Sequence, residues 1–243
     1  MIRAPGFHYP LPVPPALAID NLRFTYPGGT PIAVSRLVLE PAEQLLLTGP
    51  SGCGKSTLLS LIAGLLTADT GSIAISGEDI QTLRGAARDH LRGRRIGMVF
   101  QTFNLLQGFT AVENVMLAMM FSSVPPREHK ARAEKLLATL GLDSAHQVRH
   151  ADRLSVGQQQ RVAVARALAC EPALVLADEP TASLDPDNAA AAVELLKSAC
   201  ASAGAALLCV SHDPALPALF PRHASMRDLA GAGHASNTAK EHR

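Results

Sequence analysis

The sequence predicts an α/β fold with a mixed sheet core, an N-terminal antiparallel β layer and an inserted helical subdomain. Three observations predict it. Short, almost continuous apolar runs (Gln44 to Thr48, Ala173 to Ala177, Ala206 to Val210) read as strands buried on both faces, as in a parallel sheet. Segments with apolar residues at helical spacing separate these runs, and alternating strands and helices imply parallel connections. Before Gln44 the pattern is instead an alternation of polar and apolar residues, as in half-buried antiparallel strands.

Met1 to Pro15 carries five prolines and no apolar h-region, so residues 1–16 are expected to be a flexible Pro-rich segment and not a signal peptide. Leu17 to Ile19, Leu22 to Tyr26 and Arg36 to Leu39 alternate like strands, with a turn at Pro27-Gly28-Gly29. Gln44 to Thr48 is a strand that runs into a Gly-rich loop, and Leu58 to Ala63 begins a helix. Ser72 to Ser76 is a strand ended by a turn at Gly77, and Ile96 to Phe100 a buried strand that delivers Gln101. Over about 102–169 the pattern is helical. Thr110 and Glu113 have capping-box spacing and open a helix through Met120. Pro125-Pro126 breaks the chain, and Arg127 to Leu140 places Ala133, Leu136, Leu137 and Leu140 at helical spacing before Gly141 stops it. A further helix covers Gly157 to Ala169. The strand Ala173 to Ala177 ends in Asp178-Glu179, a helix spans Asp187 to Cys200, and the strand Ala206 to Val210 is followed by Ser211-His212. Residues 231–243, rich in Ala, Gly, His and Ser, read as a loose tail.

The chain has 243 residues, 47% of them hydrophobic and 18% charged, enough for one large α/β unit with a substantial core. A formal net charge of +1 gives no electrostatic case for nucleic acid, and none is expected as a partner. The densest basic run, Arg84, Arg88, Arg92, Arg94 and Arg95, reads as a solvated helical face because Asp89 interrupts it and no aromatics interleave. Cys53, Cys170, Cys200 and Cys209 show no metal-ligand spacing and read as reduced, small apolar residues. No apolar run approaches the roughly 18 residues of a membrane-spanning helix.

Gly49-Pro50-Ser51-Gly52-Cys53-Gly54-Lys55-Ser56-Thr57 fits G-x-x-x-x-G-K-[ST], between a strand and a helix. Backbone N–H groups aimed inward by such a loop, at the positive end of a helix dipole, hold phosphate. Lys55 adds a point charge for the β- and γ-phosphates, and the Ser56 hydroxyl suits Mg²⁺. Chance produces this pattern on the order of 1% of the time in a chain this long. Asp178, after an apolar run, has the setting of a carboxylate that helps hold Mg²⁺; Glu179 beside it can orient or deprotonate a water. In parallel sheets the chemistry sits at the carboxyl ends of strands, where Gln101, Asp178, Glu179 and His212 all fall.

Leu154-Ser155-Val156-Gly157-Gln158-Gln159-Gln160-Arg161 resembles the signature sequence of ABC ATPases. Tyr26 matches their A-loop aromatic, Gln101 the Q-loop, Ser183-Leu184-Asp185 the D-loop and His212 the switch histidine, in the family's order. The resemblance covers about residues 17–213 and implies the P-loop ABC ATPase fold, with 17–230 as one nucleotide-binding domain. It implies ATP and Mg²⁺ as ligands and two such domains paired head to tail, as a homodimer. Tyr26 would stack on adenine; Lys55 and Thr57 would hold phosphates; Ser56, Gln101 and Asp178 would attend Mg²⁺. Glu179 would be the general base and His212 would contact the γ-phosphate. Ser155, Gly157 and Gln158 would act on the partner's ATP, and Asp185 would be a further nucleotide-binding residue.

A finer resemblance runs from Gly93 to Leu106 and from Phe109 to Val115, with Leu176 to Thr181. These stretches look like the ATPases of the lipoprotein-releasing and macrolide-efflux group. That implies a separate integral membrane permease, a peripheral place on the cytoplasmic face of the inner membrane, and a groove for the permease lined by apolar residues after Gln101, of which Phe103 and Leu106 would serve both the groove and the helical-block core. An importer of small solutes is the competing reading. A soluble ABC ATPase fits less well: the chain has one cassette, and the interval from Gln101 to Ser155 is too short for a coiled coil. One departure stands out. The family usually has Gly where this chain has Val156, and Val costs little only if the backbone there is right-handed helical or extended.

Overall fold

The computed structural model describes residues 13–120, 122–182, 184 and 186–230, without the side chains of 186 and 187. The expectations placed on residues 1–12, on 231–243, and on Ser183 and Asp185 lie outside the described residues. In chain order the strands are β1 (Leu17–Phe24), β2 (Ile32–Leu39), β3 (Gln44–Thr48), β4 (Thr70–Ile75), β5 (Glu78–Asp79), β6 (Ile96–Val99), β7 (Leu174–Asp178), β8 (Ala206–Ser211) and β9 (Arg222–Ser225). The helices are α1 (Lys55–Ile62), α2 (Gly85–Arg95), α3 (Ala111–Met119), α4 (His129–Thr139), α5 (Ser144–Gln147), α6 (Val156–Leu168), α7 (Pro186–Ser202) and α8 (Met226–Ala230). Among the described residues, no helix is long and apolar enough to cross a membrane.

The two kinds of strand pairing expected of this chain occupy separate sheets. β2-β1-β4-β5 is antiparallel; β6-β7-β8-β3-β9 is parallel throughout. The period-2 geometry of a strand sorts the apolar runs between two cores. Leu45 and Leu47 of β3, Leu174 and Leu176 of β7, and Leu208 and Val210 of β8 pack with α1 and the antiparallel layer. Leu46, Val175, Ala177, Leu207 and Cys209 turn to the other side, toward α3, α4, α6 and α7. All are fully buried, so a slip of one residue in any of these strands would send each set into the wrong core.

Local chemistry sets the boundaries. Thr110 caps α3: its Oγ1 accepts from the Glu113 N–H at 3.3 Å, while Glu113 accepts from the Thr110 N–H at 2.8 Å. Gly141, at φ +78°, ends the α4 segment. β1 is one strand where the sequence suggests two, kinked at Asn21 (φ +49°), where its register with β4 shifts. At Gly97 in β6 an added Cβ would lie 2.1 Å from the Ala167 carbonyl oxygen, so glycine alone lets α6 press onto the strand. β9 and α8 have no counterpart in the sequence reading. Arg222-His223-Ala224-Ser225 carries no apolar pattern; it becomes a strand by pairing with β3, and Arg222 is anchored by Glu43 at 2.6 Å and the Val38 carbonyl at 2.9 Å.

Candidate active site

β3 ends at Thr48 and α1 starts at Lys55, so residues 49–54 form the loop between strand and helix. Gly54 immediately precedes α1 at φ +99°, and a Cβ there would meet Ile32 at 2.6 Å; glycine is required both for the turn and for the space. The loop is closed by the Cys53 N–H donating to the Pro50 carbonyl at 3.3 Å. α1 has no acidic residue in its first turn, so the positive end of its dipole is not offset from within the helix. Lys55 is 6% exposed and lies back along the loop, donating to the Gly49 carbonyl at 2.7 Å and the Pro50 carbonyl at 3.2 Å.

β8 lies between β3 and β7, so Thr48 pairs with Ser211 and Asp178 with Val210. The phosphate-type loop, Asp178-Glu179 and Ser211-His212 therefore emerge side by side at one edge of the sheet. Consecutive residues of a regular strand point to opposite faces. Glu179 escapes that rule because it is left-handed (φ +47°), a conformation costing a non-glycine residue about 1–2 kcal/mol. Both carboxylates consequently reach the loop. Asp178 accepts from the Ser56 hydroxyl at 3.1 Å, and Glu179 faces the Lys55 ammonium at 3.6 Å.

Glu179 is held on every side. Its Oε2 accepts from the Ser211 hydroxyl at 2.9 Å and from the His212 N–H at 3.3 Å, and its Oε1 pairs with His212 Nδ1 at 2.8 Å. Burial pushes this carboxyl up, but the hydrogen bonds from His212 and Ser211, with the imidazole charge, hold it below its ordinary value. Asp178 moves the other way: burial raises it, the Glu179 charge adds to that, and the Ser56 hydrogen bond and Lys55 charge oppose. Ser211, which the sequence reading did not name, joins the cluster through its hydroxyl's bond to Glu179. Its signal was available: a polar side chain, fully buried, at the end of an otherwise apolar strand.

Other expected residues make no hydrogen bond to this cluster among the described residues, although the pairing of Val99 with Ala177 brings Gln101 to the same sheet edge. Tyr26 is exposed, and its ring makes a T-shaped pair with Phe24 at 4.8 Å between centroids. Gln101 is exposed in the turn after β6. Of the apolar residues expected to line a groove, Leu106 is 48% exposed, whereas Phe103, at 4%, belongs to the core.

Ser155 caps α6. Its hydroxyl accepts from the Gln158 N–H at 3.3 Å, and the Gln158 side chain accepts from the Ser155 N–H at 2.9 Å. The next N–H groups, of Val156 and Gly157, have no partner among the described residues and lie at the positive end of a long helix. Gly157 has no atom within 4 Å of where a Cβ would sit, so this end of the helix is open to approach. Val156 is the first residue of α6, hence right-handed helical, and is 49% exposed. The β-branched residue therefore sits without strain. Val156→Gly is expected to change ATPase activity by less than about tenfold, as measured by phosphate release, because neither backbone is strained there; a larger gain would show that valine impairs the site.

Comparison with known proteins agrees with this geometry. The ABC transporter family profile matches residues 34–182. The uncharacterized ABC transporter ATP-binding protein Rv0073 of Mycobacterium tuberculosis (strain ATCC 25618 / H37Rv) is 47% identical over 70% of this chain; the match spans about half of that relative, 52% of its length. The lipoprotein-releasing system ATP-binding protein LolD of Ruegeria sp. (strain TM1040) is 42% identical, with 87% of this chain and 95% of LolD covered. The dimeric structure of the ATP-binding cassette MJ0796, in a post-hydrolysis state bound to ADP and Pi, matches with a TM-score of 0.72 at 33% identity, over 86% of this chain and 93% of that one. From phosphate-type loop to capped signature helix, this chain belongs to the ABC transporter family, as an ATP-binding cassette.

Proposed function

We propose that this chain is the ATP-hydrolysing subunit of a membrane complex, and that with a separate permease it powers lipoprotein release, efflux or mechanotransmission. The observation that carries hydrolysis is the meeting of Lys55, Ser56, Asp178, Glu179, Ser211 and His212 at one sheet edge. The release-type reading is supported by the similarity to LolD over nearly its whole length. Residues 17–230 act in this reading as one nucleotide-binding domain, with the helical block over about 102–169 as its subdomain.

The backbone N–H groups of residues 51–57 and the Lys55 ammonium hold the phosphates, with Thr57 alongside. Tyr26, which is exposed, offers its ring to the adenine. The hydroxyl of Ser56 against the carboxylate of Asp178 is a hard oxygen pair of the kind Mg²⁺ takes. Ser56, Asp178 and Gln101 are the residues that would hold Mg²⁺, whose contribution is to neutralise charge on the β- and γ-phosphates. Glu179, kept ionised by its hydrogen bonds, takes the proton of the attacking water, and His212 holds both Glu179 and the γ-phosphate side of the site. Ser155, Gly157 and Gln158 meet the nucleotide of a second copy through the open end of α6; head-to-tail pairing makes the two sites alike. The assembly sits on the cytoplasmic face of the inner membrane.

The test is to tag the Glu179→Gln chain, extract native membranes gently with ATP, and identify what co-purifies. A permease with few membrane helices and a large extracytoplasmic domain supports the reading. A many-helix permease with a solute-binding protein replaces it with import, and recovery of only ribosomes or nucleic acid ends the transport assignment.

A further inference from the structure

Arg166 has no part in the chemistry above, yet it is tied to the turn that carries Gln101. After β6 the chain folds back, the Phe103 N–H donating to the Phe100 carbonyl at 3.0 Å with Gln101 and Thr102 between them. Phe103 (φ +58°) and Asn104 (φ +49°) follow, two successive side chains in the left-handed region. Such a pair needs outside support, because L-residues leave that conformation readily. The support comes from α6. Arg166 Nη2 donates to the Phe103 carbonyl at 2.6 Å and Nη1 to the Asn104 carbonyl at 2.7 Å. Two adjacent carbonyls bound by two nitrogens of one planar fork is an arrangement that a lysine ammonium cannot copy. Inside the turn, the Thr102 hydroxyl adds a 2.8 Å bond to the Asn104 side chain.

Arg166 is in turn fixed by its helix. Its neighbour Ala167 is the residue whose carbonyl sits against Gly97, so α6 cannot shift on β6 without a clash. The same helix begins at the Ser155 cap, about 16 Å away at a rise of about 1.5 Å per residue. One rigid element thus has the Gln101 turn near one end and the signature N–H groups at the other.

We propose that Arg166 is the positioning residue for Gln101: by clamping the Phe103 and Asn104 carbonyls it sets the Gln101 turn relative to α6, and so links each cassette's own Mg²⁺–nucleotide site to the helix end that meets the nucleotide of the second copy. The inference rests on the ATPase reading. Gln101 is the group moved, and Arg166 touches neither nucleotide nor metal. A turn released from the guanidinium leaves the phosphate loop, Lys55 and Asp178 where they are, so ATP still binds; what suffers is the additional tightening that Mg²⁺ brings and the rate that follows from it.

The experiment uses the full chain carrying Arg166→Lys and, separately, Arg166→Met. In the Glu179→Gln background, binding of a fluorescent ATP analogue is measured with Mg²⁺ and with EDTA; in the unaltered background, kcat and KM are measured, with Tm for every variant. A misplacement of about 1 Å can cost on the order of 100-fold in rate, so kcat is expected to fall about 10- to 100-fold in both variants. The Mg²⁺-dependent gain in affinity is expected to shrink by about tenfold, with affinity in EDTA unchanged and lysine failing to rescue, since it restores charge but not the fork. Unchanged Mg²⁺ dependence and kcat in a folded Arg166→Lys protein overturn the proposal. So does an equal loss with and without Mg²⁺ accompanied by a lower Tm, which is the mark of packing alone. Arg166→Lys keeps the charge and most of the stem, and decides the matter if Arg166→Met does not fold. A parent protein that binds no ATP defeats the ATPase reading itself, whereas binding by the parent with indifferent variants defeats only the role of Arg166.

Discussion

Glu179→Gln lowers steady-state ATP hydrolysis by about 100- to 10,000-fold, the range of a lost general base, with ATP binding retained. The substitution is nearly isosteric. The amide oxygen still accepts from the Ser211 hydroxyl and the His212 N–H, so the left-handed turn at Glu179 and its strand-end position survive. What disappears is the charge that accepts a proton and that pairs with His212 and Lys55. Phosphate release checks the rate. Gel filtration with ATP checks the second consequence: binding without turnover accumulates the paired form, so the variant elutes as a dimer. Normal hydrolysis by this variant removes Glu179 from the chemistry and leaves its hydrogen bonds as a strand-end brace.

Lys55→Ala has the largest expected effect on binding. One hydrogen bond to a charged group contributes about 1.5–3 kcal/mol, and the buried ammonium would meet two phosphates, so affinity falls on the order of 100-fold or more. The loop suffers as well. The Gly49 and Pro50 carbonyls lose their donor, and Glu179, whose side chain is 13% exposed, loses the cation at 3.6 Å. Titration calorimetry with ATP measures the loss. Tight binding by the alanine variant would falsify the role assigned to Lys55. Comparison with Lys55→Arg separates the two contributions, since arginine restores charge but not the reach of a compact ammonium.

Much of the site was legible because its signals are local. The phosphate-type loop is contiguous, Gly52 and Gly54 in it are demanded by their backbone angles, and the strands around it announce themselves by apolar runs whose alternate residues fill two cores. The Thr110 cap was likewise a matter of three-residue spacing. What sequence could not deliver were features created by distant parts meeting. The left-handed backbone at Glu179, which brings two neighbouring carboxylates to one side, leaves no mark in Asp178-Glu179-Pro180 as letters. Arg166 looks like any helical arginine until the Phe103 and Asn104 carbonyls are found beside it. β9 is polar and short, and is a strand only because β3 has an open edge there. Phe103 and Leu106, expected to serve core and groove alike, divide those places: Phe103 is buried in the core and Leu106 is 48% exposed.

The position of β3 bears on how the protein is made. This strand launches the phosphate-type loop, yet both its neighbours, β8 from Ala206 and β9 from Arg222, are synthesised long after it. Pairing across such sequence separation is slow, since the intervening chain must be ordered before the contacts repay its entropy. A nascent chain released from the ribosome up to Ser202 therefore holds a finished nucleotide-loop sequence on a strand with bare edges on both sides. That species exposes unpaired backbone and apolar Leu45, Leu46 and Leu47 together, the combination that invites association with other chains.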